Sequence, residues 1–133
     1  MIIGLGTDLC DISRVAETLK RYPRRFEDRI YTEQEQARAE RRPHKRADRY
    51  AQMFAAKEAC SKALGTGFRR GVFWRDMEVV HLRSGKPTMQ LTGGALARMK
   101  SLTPEGMRAQ VEVSLTDESG LANAVVIIFA IPA

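Results

Sequence analysis

The sequence predicts an α+β protein in which a mainly antiparallel sheet packs with one long helix. Strand-like apolar patterns occupy residues 2–8, 77–82, 88–91, 110–115 and 124–131. Helical spacing fills the segments between them, and the longest helix is predicted from about Arg46 to Leu64, with Gly65 just past its end. Strands and helices do not alternate regularly, so a doubly wound parallel fold is not predicted.

The first predicted strand places two glycines beside a carboxylate. Gly4 and Gly6 share a face with Asp8, because side chains alternate along a strand. Glycine inside a strand often marks the close approach of a ligand or another backbone, and a bulge or twist is the alternative explanation. Asp11 follows as the predicted N-cap of a helix that extends to about Tyr22.

The remaining elements carry local start and stop signals. Thr32 and Glu35 form a capping-box pattern for a helix that should end before Pro43. Residues 84–87 predict the turn of a hairpin, and a short helix is expected around residues 95–100. The segment 124–131 is nearly continuously apolar, which predicts the central strand of the sheet.

Size and charge narrow the class of protein. The 133 residues suit one domain, residues 1–133, and the net charge of +6 favours an anionic partner such as a phosphorylated ligand, an acidic protein or nucleic acid. The apolar start reaches Asp8 too early for a signal sequence or a membrane span, so a cytoplasmic location without membrane contact is expected. Cys10 and Cys60 lack a metal-ligand spacing and are predicted to be buried thiols.

The segment from Phe54 to Gly67 carries the most chemistry. On a helix, Phe54, Glu58 and Lys62 fall on one face, with Ser61 beside them. Taken alone, Glu58 and Lys62 would usually be an exposed pair worth about 0.3–0.5 kcal/mol. The following Gly65-Thr66-Gly67 can turn backbone amides toward an anion, although it is not a Walker loop because it follows the helix.

At these residues the sequence resembles the holo-acyl-carrier-protein synthases, the short bacterial class of 4'-phosphopantetheinyl transferases. The resemblance begins with Ile3-Gly4-Leu5-Gly6-Thr7-Asp8 and Arg14, and its centre runs from Phe54-Ala55-Ala56-Lys57-Glu58 to Lys62-Ala63-Leu64-Gly65-Thr66-Gly67. It continues through Gly85-Lys86-Pro87, Val113-Ser114-Leu115-Thr116 and residues 124–128, and so covers nearly the whole chain. It implies the 4'-phosphopantetheinyl transferase fold.

The resemblance implies a magnesium-dependent reaction with coenzyme A. Asp8 and Glu58 would bind Mg²⁺ together with the coenzyme A pyrophosphate, and Lys62 would contact the phosphate. The three residues Asp8, Glu58 and Lys62 form the implied catalytic set. The implied coenzyme A contacts are Lys57, Ser61, Lys62, Gly65, Thr66, Gly67, Lys86 and Pro87.

The same resemblance implies transfer to an acyl carrier protein, in support of fatty acid biosynthesis. A serine hydroxyl of the carrier would attack the β-phosphate of coenzyme A and release adenosine 3',5'-bisphosphate. Glu58, or a water held by Asp8 or Glu58, is the candidate base. Carrier docking is expected at Arg14, Arg21, Arg25, Phe26 and Phe54, since the carrier's helix is acidic, and relatives form homotrimers with the site between subunits.

Two positions depart from the family pattern. Met53 and Asp117 stand where relatives usually have an arginine and a histidine that would contact phosphate or nucleotide, and Lys45, Arg46 and Arg49 lie nearby as substitutes. Two other classes remain open from the sequence. One is a nucleic-acid-binding module that uses the arginine-rich run from Arg38 to Arg49, and the other is a partner protein that has lost the activity.

Overall fold

Five strands and five α-helices make up the fold in the computed structural model, which describes residues 1–133. The strands are β1 (Ile2–Asp11), β2 (Met77–His81), β3 (Pro87–Leu91), β4 (Met107–Glu118) and β5 (Leu121–Pro132). The helices are α1 (Ile12–Arg21), α2 (Arg25–Ile30), α3 (Glu33–Glu40), α4 (Arg46–Leu64) and α5 (Gly93–Leu102). Short 3-10 turns lie at Pro43–Lys45 and Trp74–Asp76.

All strand pairing is antiparallel, which confirms the predicted α+β class. One sheet has the order β1-β5-β4, and β2 pairs with β3 as a separate hairpin. The apolar strand β5 is central, as its sequence predicts. Its alternate residues Ala122, Ala124, Val126, Ile128 and Ala130 are buried, because this side of the sheet lies against α4.

The other side of the same sheet is apolar but uncovered. Leu5 and Leu9 of β1 are 64% and 61% exposed. Leu5 lies directly opposite Ile127 of β5, and Thr7 lies opposite Val125, so these side chains share the uncovered side. This surface, formed by Leu5, Leu9, Val125 and Ile127 together with the outward residues around them, is called the outer sheet face below.

Local signals place the helix ends well. Asp11 accepts a hydrogen bond from the Ser13 amide at the start of α1, and Thr32 with Glu35 forms both bonds of the capping box on α3. Gly65 ends α4 in the left-handed conformation, with φ of 77°.

Both cysteines are free and buried, as predicted. No helix has the combination of length and apolar character that crossing a membrane requires.

Several elements differ from the sequence expectation. Strand β1 extends to Asp11, and β4 spans twelve residues, because pairing with β5 continues past the apolar segments. Helix α2 was not predicted. Arg24 adopts a φ of 67° after Pro23, which turns the chain, so Arg25 and Phe26 lie on α2 and not on an extension of α1.

Candidate active site

Strand β1 and helix α4 meet backbone to backbone. A Cβ atom on Gly4 would overlap the carbonyl oxygen of Ala63, and one on Gly6 would overlap that of Ala59. The approach therefore requires glycine at both strand positions and small residues on the helix. The neighbouring backbone that the sequence suggested at these glycines is α4, and the contact brings Asp8 to the side of this helix.

Asp8 and Lys62 are joined across this contact. Lys62 Nζ lies 3.1 Å from Asp8 Oδ1 and donates to the Thr7 carbonyl oxygen at 3.0 Å. The Lys62 side chain is 53% exposed, whereas that of Asp8 is only 15% exposed. Asn123 of β5 donates to the Asp8 carbonyl at 3.0 Å and ties the strand to the sheet. The amine is thus accessible to a ligand while it faces the carboxylate.

Glu58 lies one helical turn before Lys62 and shares a cavity with Asp8. Its half-buried carboxylate has no hydrogen-bond partner in the chain. Burial raises the pKa of Glu58, the nearby Asp8 carboxylate raises it further, and Lys62 lowers it. Burial also raises the pKa of Cys10 in the same cavity to about 11, with Asp8 as the next cause. Two carboxylates therefore repel each other at one site.

These two carboxylates fit a magnesium ion. No group of three or more His, Cys, Asp or Glu side chains is arranged so that it could hold a metal ion by itself. Mg²⁺ commonly binds through one or two carboxylates and completes its shell with phosphate oxygens and water. Asp8 and Glu58 line the same cavity, and their mutual repulsion would be relieved by a cation between them.

Two adjoining cavities form a groove beside these carboxylates. The first, of about 360 Å³, is lined by Asp8, Glu58 and Arg14, among others. The second, of about 570 Å³, is lined by Arg25, Arg29, Tyr22 and Trp74, among others. Thr18, Phe26 and Phe54 line both cavities and connect them. The groove therefore has an acidic end at the two carboxylates and arginines along its length.

The predicted docking residues all belong to this region. Arg14, Arg25, Phe26 and Phe54 line the groove, and Arg21 lies with its guanidinium 5.9 Å from the ring centre of Tyr22 at the rim.

Sequence reasoning missed Trp74. Its ring stacks on Phe54 at 5.1 Å and on Phe68 at 3.8 Å between ring centres. The available sequence signal was that this is the chain's one tryptophan. In the structure it is partly buried in a short turn.

Lys57 is not a coenzyme A contact, and that expectation is wrong. Its side chain is fully buried and its amine lies 2.8 Å from Glu35 Oε1. The amine also donates to the carbonyls of Trp74 and Met77, so its three donors are occupied. Ser61 is likewise only 2% exposed and donates to the Glu58 carbonyl, which places its hydroxyl within the helix and not on the ligand side.

The glycine turn after α4 uses two of its amides within the chain. Gly65 donates to the Lys62 carbonyl at 3.0 Å and Gly67 donates to the Ser61 carbonyl at 3.1 Å, so both amides satisfy the end of the helix. The Thr66 hydroxyl donates to the Gly67 carbonyl. The amides of Gly65 and Gly67 are therefore not directed toward a ligand, and of the three only the Thr66 amide has no backbone partner.

Lys86 and Pro87 lie at the hairpin of β2 and β3. Lys86 forms an ion pair with Glu112 of β4 at 3.0 Å, and none of its polar contacts involves Asp8, Glu58 or Lys62. The structure therefore does not bring this pair together with the carboxylates within one copy of the chain.

The structure shows what surrounds Met53 and Asp117, the two residues that depart from the family pattern. Met53 is buried in the core, and Asp117 accepts a hydrogen bond from Gln52 at 3.1 Å. Among the nearby cations, Arg46 forms ion pairs with Glu40 at 2.7 Å and with Glu27 at 3.1 Å. Arg49 donates to the Arg38 carbonyl and has no carboxylate partner. Arg49 therefore has no carboxylate that an anionic ligand would have to displace, whereas Arg46 has two.

Comparison with known proteins gives one consistent result. The sequence profile of the 4'-phosphopantetheinyl transferase superfamily matches residues 4–116. The holo-[acyl-carrier-protein] synthase of Rhodopseudomonas palustris strain HaA2 is 62% identical over 136 aligned residues, which cover 100% of this chain and 96% of the relative.

Solved structures agree with this result. The holo-[acyl-carrier-protein] synthase of Neisseria meningitidis superposes with a TM-score of 0.82 at 32% identity, covering 97% of this chain and 99% of that one. The holo-(acyl-carrier-protein) synthase of Bacillus anthracis in complex with CoA (3',5'-ADP) superposes with a TM-score of 0.75 at 30% identity, covering 96% of each. The chain therefore belongs to the holo-[acyl-carrier-protein] synthase family of 4'-phosphopantetheinyl transferases.

Proposed function

We propose that this protein transfers the 4'-phosphopantetheine group from coenzyme A to a serine of apo acyl carrier protein, in support of fatty acid biosynthesis. The observation that carries the proposal is the joining of Asp8, Glu58 and Lys62 at one end of an arginine-lined groove. The family relationship supplies the chemistry of donor and acceptor. The products are holo acyl carrier protein and adenosine 3',5'-bisphosphate.

In this reaction the serine oxygen forms a bond to the β-phosphorus of coenzyme A, and the bond from that phosphorus to the bridging oxygen breaks. Lys62, exposed and already facing a carboxylate, would stabilise the charge that develops on the phosphate oxygens. Glu58, whose pKa is raised by burial, would accept the serine proton directly or through water. Mg²⁺ held by Asp8 and Glu58 would neutralise phosphate charge when bound.

Coenzyme A would extend from the carboxylates toward the end of α4. Thr66 keeps an amide without a backbone partner, and Gly67 leaves open space at the turn. Lys86 and Pro87 would contact the cofactor of a neighbouring copy, since within one chain they have no contact with the carboxylates. The 3'-phosphate would pair with Arg49 or Lys45 in place of the arginine and histidine of relatives.

The groove between α1, α2 and α4 would bind the carrier protein. Arg14, Arg25 and Arg29 carry no carboxylate partner in the chain, so an acidic helix could pair with them. Phe26 and Phe54 form the apolar floor between the arginines and Glu58. This arrangement would bring a serine at the end of such a helix to the two carboxylates.

A homotrimer is part of this proposal. The outer sheet face exposes Leu5 and Leu9 next to Val125 and Ile127, and an apolar surface of this kind commonly marks contact with another chain. Copies that cover one another there would place the hairpin of one beside the carboxylates of the next. Sedimentation should give three times the chain mass, and Val125→Glu should shift it to the monomer; a wild-type monomer would contradict the assembly.

The transfer itself is tested by mass spectrometry of apo carrier protein incubated with the protein, coenzyme A and Mg²⁺. The expected result is a gain of one phosphopantetheine on the carrier serine, dependent on both coenzyme A and the divalent ion. A carrier mutated from serine to alanine is the control. An unmodified carrier would reject the proposed function. We also propose a cytoplasmic location, since the two free thiols suit that reducing compartment.

A further inference from the structure

Lys57 is adjacent in sequence to Glu58 but points in a different direction from α4, into the core. Its amine is enclosed by three acceptors: Glu35 Oε1 at 2.8 Å, the Met77 carbonyl at 2.9 Å and the Trp74 carbonyl at 3.0 Å. Burial lowers the pKa of Lys57 and Glu35 partly offsets that change. Three acceptors match the three hydrogens of an ammonium group, so the geometry is that of the charged form.

Glu35 is satisfied just as fully. Its Oε1 accepts from the Thr32 amide at 2.8 Å in addition to Lys57, and its Oε2 accepts from the Val79 amide at 2.8 Å. Both side chains of the pair are wholly inaccessible to solvent. Burying two charges costs free energy that an apolar pair would not require, so such a pair is better explained by the geometry that it specifies than by stability alone.

The geometry that it specifies is that of the Trp74 turn. Lys57 binds the carbonyls at the start of the turn and of β2, and Glu35 binds the amide of Val79 just beyond. The turn presents the Trp74 ring between Phe54 and Phe68, where it forms one wall of the second cavity. Phe54 precedes Lys57 by one turn of the same helix, so one element sets both partners of the stack.

We propose that Lys57 and Glu35 are positioning residues that hold Trp74 as a preformed wall of the carrier-binding groove. This inference rests on the proposed function, because it assigns the second cavity to the carrier. The pair touches neither substrate. It fixes the depth and shape of the apolar end of the groove, so its loss affects binding of the carrier and not binding of coenzyme A.

The test is the double variant Lys57→Met/Glu35→Gln, since a single change would leave one buried charge without its partner. The one tryptophan reports directly on the turn. The expected result is cooperative unfolding, a red shift of Trp74 emission with stronger acrylamide quenching, and about a tenfold rise in the KM for the carrier. The KM for coenzyme A and kcat at saturating carrier should stay within about twofold.

Val126→Ala is the matched control, because it removes buried volume from β5 away from the Trp74 turn. It should lower stability without changing either the carrier KM or the emission of Trp74. An equal rise in carrier KM in this control, or no rise in the double variant, would overturn the inference. If the double variant does not fold, Trp74→Ala tests the role of the ring directly. A carrier KM that is unchanged in Trp74→Ala would overturn the assignment of Trp74 as a wall of the groove.

The wild-type assay separates this inference from the proposed function. If the wild type modifies the carrier but the double variant keeps its carrier KM, only the positioning role fails. If the wild type does not modify the carrier, the proposed function fails and this inference fails with it.

Discussion

Lys62 Nζ lies 3.1 Å from Asp8 Oδ1, which joins two residues that are fifty-four positions apart in sequence. The pair is mostly exposed on the lysine side, so its contribution to stability is small, about 1 kcal/mol or less. Because the pair lies next to Glu58 and the groove, we propose that it acts in binding phosphate.

Lys62→Met should therefore lower transfer without unfolding the protein. We expect kcat/KM for coenzyme A to fall by about 100-fold or more, because the exposed amine no longer stabilises phosphate charge. Steady-state kinetics at saturating carrier measure the loss, and thermal unfolding should shift little. Lys100→Met, which removes an exposed lysine at the end of α5, is the matched control. Full activity of Lys62→Met would remove this residue from the site.

Glu58→Ala should abolish transfer while leaving stability equal or higher. The carboxylate has no hydrogen-bond partner, and burial and Asp8 both disfavour its charged form, so its removal relieves an unfavourable interaction in the fold. We expect an activity loss of about 1,000-fold or more and the loss of calorimetric Mg²⁺ binding in the presence of coenzyme A. Glu17→Ala on the exposed side of α1 should change neither quantity. Normal turnover by Glu58→Ala would refute the assignment.

Gly6→Ala should be among the most damaging single changes outside the site. The new Cβ would overlap a backbone carbonyl of α4, which cannot rotate away, so β1 must separate from the helix. We expect a loss of about 3 kcal/mol in the free energy of unfolding, at the upper end of overpacking effects. Urea denaturation measures this loss, and Gln90→Ala at an exposed position of β3 should change stability by less than about 0.5 kcal/mol. Equal stability of the two variants would contradict the contact.

Reversing Arg14 and Arg21 to glutamate should weaken carrier binding. Arg14 lines the groove beside the carboxylates and Arg21 lies at its rim, so like charges would then face the acidic carrier. We expect the carrier KM to rise about tenfold or more, with the larger effect at low salt, while the coenzyme A KM is retained. Arg108→Glu, at an exposed position on β4, is the control. A carrier KM that does not change would place docking elsewhere.

Both cysteines should resist alkylation in the folded protein. Burial raises the pKa of Cys10 to about 11 and that of Cys60 to about 12, so at pH 8 about one thiol in a thousand or fewer is the reactive thiolate. Titration with a disulfide reagent should count no fast thiols in the native state and two after denaturation. A fast native reaction at Cys10 would contradict the burial of this thiol at the cavity wall.

Much of the fold follows from local patterns, and the exceptions have physical reasons. The capping box at Thr32 and Glu35 is encoded within four residues and was predicted, but the ion pair of Glu35 with Lys57 joins two elements and has no local signal. Helix α2 has only six residues and follows an unusual conformation at Arg24, so it offers too few turns for a periodic pattern.

Lys57 shows why motif membership does not assign a side chain to a site. Successive residues on a helix point about 100° apart, so Lys57 and Glu58 diverge although they are neighbours in the motif. The apolar surroundings that bury Lys57 come from β2 and the Trp74 turn, which lie far along the chain. Helical spacing predicted that Glu58 and Lys62 share one face of α4, whereas only the resemblance to a known family suggested that Asp8 lies beside them.

The glycine contact between β1 and α4 sets the distance between Asp8 and Glu58 through the main chain. Because Gly6 rests on the carbonyl of Ala59, the separation of the two acids does not depend on how nearby side chains fill space. Sequence change in the surrounding core can then be absorbed by repacking while the spacing of the acids stays the same.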